Sequence, residues 1–591
     1  MGDDSLISSH NGEISQRATG WWLAGEIRLR YGAVVLALAA LLFFLRLGER
    51  ALWGPERRWA ETTREMQLSG NYFWPTINGA VYYDKPLLSY WLMAGAASLT
   101  GALNEFTARL PSAAAGLLGV ALLMLLVRRL YDLRTAVISG FILATSYSYA
   151  LFSRTASADM ETVAGVLAAL TLFVYSEQRP KGWWLVGFWL TMAVTSLTKG
   201  LLGFALPLLV AGVYSLCADG WRGFLEQGWR GSLGERMKGL ITRFPWLFNW
   251  RTLPAALAAV LVYCLPFAMS YMWMHSNIGV YKVLQENVVR FVHPFDHQEP
   301  VYFYLYRIFA LMAPWSLFLP AALVQMHATC KERSDRFILV FFWAIFLFFT
   351  ISGSRRDYYL LPALPAAAVL VARLFVTARE VLGRRARQLM EMGYFLIAVS
   401  VVVIGVLALL PPAMRPGALG RFPVLPERMM FTALWVSMLA AVIFALIRLR
   451  PERIMVSTSV LAYLALLFLF VFALPGAERY RGEKVFAQAV RAQLKGDMSR
   501  VVLYKNGGPG LLFYLSAREP IPVYDNSADL VHMIEENPDR RVISLQRDLS
   551  DLQLPGSTVA REETLRWDRP PSPRGELVLF RPDSTARSEG K

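Results

Sequence analysis

Cysteine is nearly absent. Cys217, Cys264 and Cys330 are the only three in 591 residues, too few and too scattered for a disulfide framework or a structural zinc site. All three fall in or beside apolar runs, which suits inert packing. Charge is also scarce: 18% of the residues are charged and 55% are hydrophobic, whereas a soluble chain of this length carries more charge and breaks its apolar runs more often. That excludes an ordinary soluble globular protein. No HExxH, Walker or Ser-His-Asp order stands out. Acids are outnumbered, leaving a formal net charge of +16, yet no basic stripe is interleaved with stacking aromatics. The excess sits in short loops between apolar runs, where it sets membrane topology; nucleic acid is not an expected partner.

What remains is a polytopic, all-α membrane pattern. Residues 32–45 (GAVVLALAALLFFL) follow Arg28 and Arg30 and precede Arg46 and Glu49 without a small-residue cleavage site, the pattern of a retained signal anchor. Apolar windows place spans near 31–47, 109–127, 135–152, 160–176, 183–198, 201–217, 253–274, 303–325, 337–352, 358–378, 393–412, 429–447 and 454–474, about thirteen in all. Arg128, Arg129 and Arg134, then Arg179 and Lys181, then six basic residues between 218 and 252 recur at every second loop. Lys331 and Arg333, Arg379 to Arg387, and Arg448 to Arg453 continue the alternation. These loops are expected in the cytoplasm. Residues 48–108, 153–159, 275–302, 353–357 and everything after 475 then face the opposite side.

On that outer side, residues 56–69 and 87–100 have helical patterning but are neither long nor apolar enough to span, so they suit helices lying along the interface. After residue 475 the charge rises and short β-rich runs appear: RVVLYK (500–505), PIPVY (520–524), RVISL (541–545) and ELVLF (576–580). Helical spacing in 483–494 and 527–536 alternates with them, which predicts a small α/β domain. The expected organisation is a cytoplasmic segment 1–30, a transmembrane domain 31–475 and an outer α/β domain 476–591.

Positive-inside bias makes basic residues on the outer side informative. Lys85, Lys199, Arg290, Arg355 and Arg356 are the conspicuous set, and a lysine or arginine at a helix centre costs about 2.5–3.5 kcal/mol on insertion scales. Several such cations converging on one cavity would suit a lipid phosphate. Among acids, Glu56 opens the first outer helix and Asp159 sits at the outer end of the third span. A carboxylate so placed can orient or deprotonate a hydroxyl nucleophile; the alternatives are a helix cap at Asp159 and simple pairing of Glu56 with Arg57. The cluster HPFDH (293–297), with Asp84, suggests a divalent metal at Asp84 and His297, although the spacing matches no zinc signature and hydrogen bonding competes with it. NGGPG (506–510) reads as a turn.

These motifs together resemble the GT-C class of polyprenyl-phosphate-dependent glycosyltransferases, in particular the bacterial aminoarabinose transferases of lipid A, which are similar to protein O-mannosyltransferases. The resemblance rests on LWGPERRWAETTREM (52–66), NGAVYYDKPLLSYW (78–91), ARLPSAAAGLLG (108–119), Asp159, LTKGLLGFALP (197–207), ENVVRF (286–291), HQEPVYFY (297–304) and RRDYYLLPALP (355–365). It implies a GT-C fold in the bacterial inner membrane, a polyprenyl-phosphate sugar donor, membrane lipids as surroundings and lipid A or another periplasmic acceptor. It puts Lys85 at the donor phosphate, Glu56 and Asp159 near the reacting centre, and Arg58, Tyr82, Tyr83, Lys199, Arg290, Arg355 and Tyr359 among the substrate-binding residues. One departure stands out: the family's Asp-Glu pair before the Arg-aromatic-Ala-Glu run is here Pro55-Glu56-Arg57 before Arg58-Trp59-Ala60-Glu61, so one carboxylate is missing or displaced. No cofactor is required. The rival functions are protein O-glycosyl transfer and lipid or sugar transport, the latter disfavoured because neither repeat symmetry nor paired interrupted helices are evident.

Overall fold

The computed structural model describes residues 29–179, 182–217, 239, 241–290, 298–330, 332–410, 428–478, 482–505, 507–551 and 577–580. Two compact units result. One holds the chain up to Arg46, Ser112–Ala268 and Asn277–Ala473; the other gathers Leu47–Pro111, Met269–Ser276 and the chain from Leu474 onward.

The first unit is helical, as its unbroken apolar windows demand, because backbone groups in hydrocarbon must be bonded within their own segment. Among the described residues seven helices are long and apolar enough to cross a membrane, including Asp159–Gln178, Thr252–Met274 and Arg333–Ile351, and four shorter apolar helices accompany them. The chain is a multi-pass membrane protein. Thr252–Met274 exposes Leu253, Leu257, Leu261 and Leu265, the outward apolar surface that lipid accepts.

Proline breaks one expected span and tightens the start of another, which remains long and apolar enough to cross as Asp357–Val376. The window 303–325 is a helix Phe303–Leu311, a 3-10 turn Trp315–Phe318 and a helix Leu319–Thr329. Pro314 cannot donate to the helical ladder, and residues 312–314 form a turn. The window 358–378 begins as a 3-10 segment Asp357–Ala363 containing Pro362 and becomes α-helical only at Leu364–Val376.

Asp159–Gln178 and Trp184–Lys199 form a tight helical hairpin. A side-chain carbon on Gly165 would lie 2.1 Å from Thr195 Oγ1, so glycine permits the close approach. Thr162 and Thr198 share a hydrogen bond of 2.8 Å across it. Because the two helices are antiparallel, the first residue of one and the last of the other fall at the same end.

In the second unit the helices Glu56–Ser69 and Leu88–Thr100 stand where the sequence pattern puts them. Gly70 ends the first with φ +68, a left-handed closure that suits glycine. Trp59 and Tyr90 bring their rings to 4.6 Å between these helices. After residue 475 four strands, β3 (Val501–Tyr504), β4 (Val523–Tyr524), β5 (Arg541–Leu545) and β6 (Leu577–Phe580), form a sheet in the order β4-β3-β5-β6; β1 (Thr76–Ile77) and β2 (Ala80–Val81) make a separate hairpin. β3 is parallel to β4 and β5, and β6 is antiparallel to β5. Helices Pro509–Leu515 and Ser527–Glu536 supply the crossovers that parallel pairing requires. Leu530, Met533 and Ile534 pack on Val502, Tyr504, Val542 and Phe580 to close the core.

Candidate active site

In the first unit the hairpin's open end, opposite the 179–183 connection, carries Asp159 and Lys199. Ala158, not Asp159, is the N-cap of its helix, and no side chain caps it. Asp159 is instead the first helical residue, where a carboxylate is favoured by the helix dipole; its Oδ2 accepts from the Ser157 hydroxyl at 2.8 Å, and its Oδ1 is paired with Lys199 Nζ. Capping is therefore not what this side chain does. The Lys199 ammonium lies 4.8 Å from the Tyr358 ring centre and 5.0 Å from that of Tyr359, distances at which aromatic faces attract a cation. Tyr358 accepts from Arg356 Nη1 at 2.8 Å.

The turn behind Lys199 is braced. Gly200 has φ +94, and any side chain there would meet Asn287, whose Oδ1 accepts from Leu201 N at 3.0 Å. The ENVVRF element thus contributes through Asn287 as well as Arg290. Arg290 pairs with Glu286 one turn back at 2.5 Å. Arg355 donates to the Thr350 carbonyl through Nε at 3.3 Å and Nη2 at 3.0 Å, and its Nη1 donates to the Glu299 carbonyl. That guanidinium braces a turn.

The second unit holds the other set. Arg58 Nη1 donates to the Tyr82 hydroxyl at 2.7 Å, and that hydroxyl donates to Asp84 Oδ2 at 3.3 Å. Lys85 Nζ stands 3.4 Å from Asp84 Oδ1. Burial works against the Asp84 carboxylate, but the Lys85 and Arg58 cations outweigh it and hold its carboxyl below the usual range. Burial and the neighbouring Asp84 push the Tyr82 phenol up to about 12, so it is a neutral hydrogen-bonding group at ordinary pH. Tyr83 is buried. With two cations at Asp84, the setting does not fit a metal ion there; His297 lies outside the described residues, and among those residues no group of three or more His, Cys, Asp or Glu side chains could hold one.

Glu56 opens the helix Glu56–Ser69. It is fully buried, Arg109 Nε and Nη2 donate to its two oxygens at 2.7 and 2.8 Å, and Trp53 N donates to Oε2 at 3.1 Å. Arg109, a residue the motifs did not single out, also donates to the carbonyls of Leu47, Arg50 and Ala51. An arginine in the first turns of an apolar helix signals a buried anionic partner, and that signal would have found it. Tyr358, Ser157 and Asn287 carried no comparable signal.

Residues 84–230 match the family model described as dolichyl-phosphate-mannose-protein mannosyltransferase. The undecaprenyl phosphate-α-4-amino-4-deoxy-L-arabinose arabinosyl transferase of Pseudomonas aeruginosa is 28% identical over 380 residues, 62% of this chain and 64% of the relative. Its Shewanella sediminis counterpart is 27% identical over 65% of this chain and 67% of the relative. The match thus spans just under two thirds of the first of these proteins. The crystal structure of ArnT from Cupriavidus metallidurans bound to undecaprenyl phosphate superposes with a TM-score of 0.67 at 24% identity, over 89% of this chain and 95% of that one. This chain has the fold of that ArnT structure and is a sequence relative of the bacterial aminoarabinose transferases.

Proposed function

We propose that this protein is an inverting glycosyltransferase of the bacterial inner membrane that moves a sugar, aminoarabinose by analogy with its relatives, from undecaprenyl phosphate to lipid A or a related acceptor on the periplasmic face. The observation that carries the reading is the Asp159–Lys199 pair, a nearly buried carboxylate and ammonium at one end of a spanning helix in a chain of this fold. The acceptor oxygen attacks the anomeric carbon while the bond to the lipid phosphate breaks on the opposite face, and the electron pair leaves on that phosphate. A hydroxyl acceptor gives its proton to Asp159; a phosphate acceptor is already anionic and needs no base. Ammonium groups act on the charge that grows on the departing lipid phosphate. Lys85 is assigned to that phosphate, with Arg58 and Tyr82 ordering its surroundings. Tyr83, Lys199, Arg290, Arg355 and Tyr359 complete the proposed binding set, with Arg290 and Arg355 acting as braces.

The alternating basic loops support a cytoplasmic N-terminal segment and a periplasmic α/β domain from residue 476; a reporter fused after Leu474 that is active in the cytoplasm would overturn that topology. The test of function is incubation of the purified protein with labelled undecaprenyl-phosphate aminoarabinose and lipid A, followed by mass spectrometry. Labelled lipid A and free undecaprenyl phosphate are expected. Label on protein alone would favour the O-glycosyl reading that the 84–230 match supports, and movement across sealed vesicles without turnover would mean transport.

A further inference from the structure

The VYYDKP element follows a hairpin too small to hold itself. β1 and β2 pair Thr76 with Val81 and Ile77 with Ala80 around a two-residue turn, Asn78–Gly79, with φ +53 and +75. Both positive values are those of the turn that asparagine-glycine favours, but an isolated two-stranded ribbon is marginal in water. Something else must fix it, and the structure supplies two clamps within the same compact unit. From the helix Glu56–Ser69, Glu65 accepts from Thr76 Oγ1 at 2.6 Å, from Asn78 N at 2.5 Å and from Gly79 N at 3.2 Å. From the segment after Pro509–Leu515, Ile521 meets the Asn78 side chain reciprocally: Asn78 Nδ2 donates to Ile521 O at 2.8 Å and Ile521 N donates to Asn78 Oδ1 at 2.8 Å. The carboxamide behaves as a peptide group in a strand bridge. There is no slack beside it, since a side-chain carbon on Gly79 would come within 2.8 Å of Pro520 Cγ. Arg64 Nη1 donates to the Ala517 carbonyl at 2.6 Å and ties the same segment to the helix, and Tyr82 N donates to Pro75 O at 2.9 Å to close the hairpin base.

We propose that Asn78 is a positioning residue and that the 517–521 segment is the anchor against which the donor-binding residues Tyr82 and Lys85 are aimed. The α/β part of the chain is then a component of substrate binding, through this clasp. The inference rests on the donor-phosphate reading of Lys85.

The test uses full-length protein, wild type against Asn78→Gly, with Ile521→Pro as a second variant. Glycine keeps the left-handed backbone and removes both bonds to Ile521; proline removes the N–H that donates to Asn78 and also the buried Ile521 side chain. Hydrogen exchange of residues 76–85 reports the clasp, exchange of Val501–Tyr504 serves as a folding control, and binding of undecaprenyl phosphate reports positioning. With Asn78→Gly, exchange in 76–85 should rise and affinity for undecaprenyl phosphate should fall about tenfold, the size that losing two ordinary hydrogen bonds predicts, while exchange at 501–504 stays as in wild type. Ile521→Pro should move both readouts the same way. Unchanged exchange at 76–85 would overturn the clasp. Faster exchange with wild-type affinity would overturn the positioning role. Wild-type protein that fails to bind undecaprenyl phosphate would overturn the donor reading and the positioning role with it, while exchange in the variants still decides whether the clasp exists.

Discussion

Arg109 occupies both carboxylate oxygens of Glu56 and, with its remaining donors, the carbonyls of Leu47, Arg50 and Ala51. Such a fork, buried on both sides, makes Glu56 a structural partner of Arg109. Glu56→Ala should therefore destabilise the protein by about 3–5 kcal/mol, the cost of stranding a buried charge, while the fraction that stays folded keeps its turnover. Thermal unfolding and activity per folded molecule check this; a stable, inactive variant would return Glu56 to chemistry.

Asp159 makes the opposite prediction. Asp159→Asn keeps the size of the side chain and an oxygen for Ser157 and Lys199 but loses the negative charge. Transfer to a hydroxyl acceptor should fall by about 100-fold or more per folded molecule, the ordinary range for a lost general base, while the unfolding midpoint also falls because the nearly buried Lys199 ammonium loses its counter-charge. Turnover as in wild type would make Asp159 a structural partner of Lys199.

Lys85→Ala should weaken both undecaprenyl-phosphate binding and the chemical step, because charge on the lipid phosphate grows as the sugar leaves. Lys85→Arg should rescue partly, since a planar guanidinium places its donors elsewhere. Single-turnover rates at saturating acceptor, with donor affinity measured separately, give both quantities. Full rescue by arginine would mean that Lys85 only snorkels to the headgroups.

Asp84 gives a dependence on pH. Its carboxyl is held below the ordinary value of 3.8 against the effect of burial, so its ion pairs contribute stability that is complete above that value and is lost as pH falls through the lower folded value. Arg58→Met removes one of the two opposing cations and leaves burial less opposed, which should move this acid loss to higher pH. Thermal midpoints taken between about pH 3 and pH 6, a range that brackets ordinary carboxyl titration, test it; identical acid limbs in variant and wild type would contradict the assignment.

Local pattern decided much of this fold. Helix Glu56–Ser69 begins after Pro55 and ends at Gly70, and the runs around 501–504, 541–545 and 577–580 are strands, because capping, β-branching and apolar spacing act over a few neighbouring residues. The spanning character of the chain was equally legible, since composition alone fixes which solvent a segment prefers. Partner choice was not. Glu56 meets Arg109 rather than Arg57, Asp159 meets Lys199 across a helical hairpin, and Asn78 meets the backbone of Ile521 in a segment far along the chain. A side chain's charge and length are written at its own position, whereas the group that satisfies it is set by how helices and strands pack. Only the tertiary structure could therefore show that Glu56 is paired with Arg109 and Asp159 with Lys199.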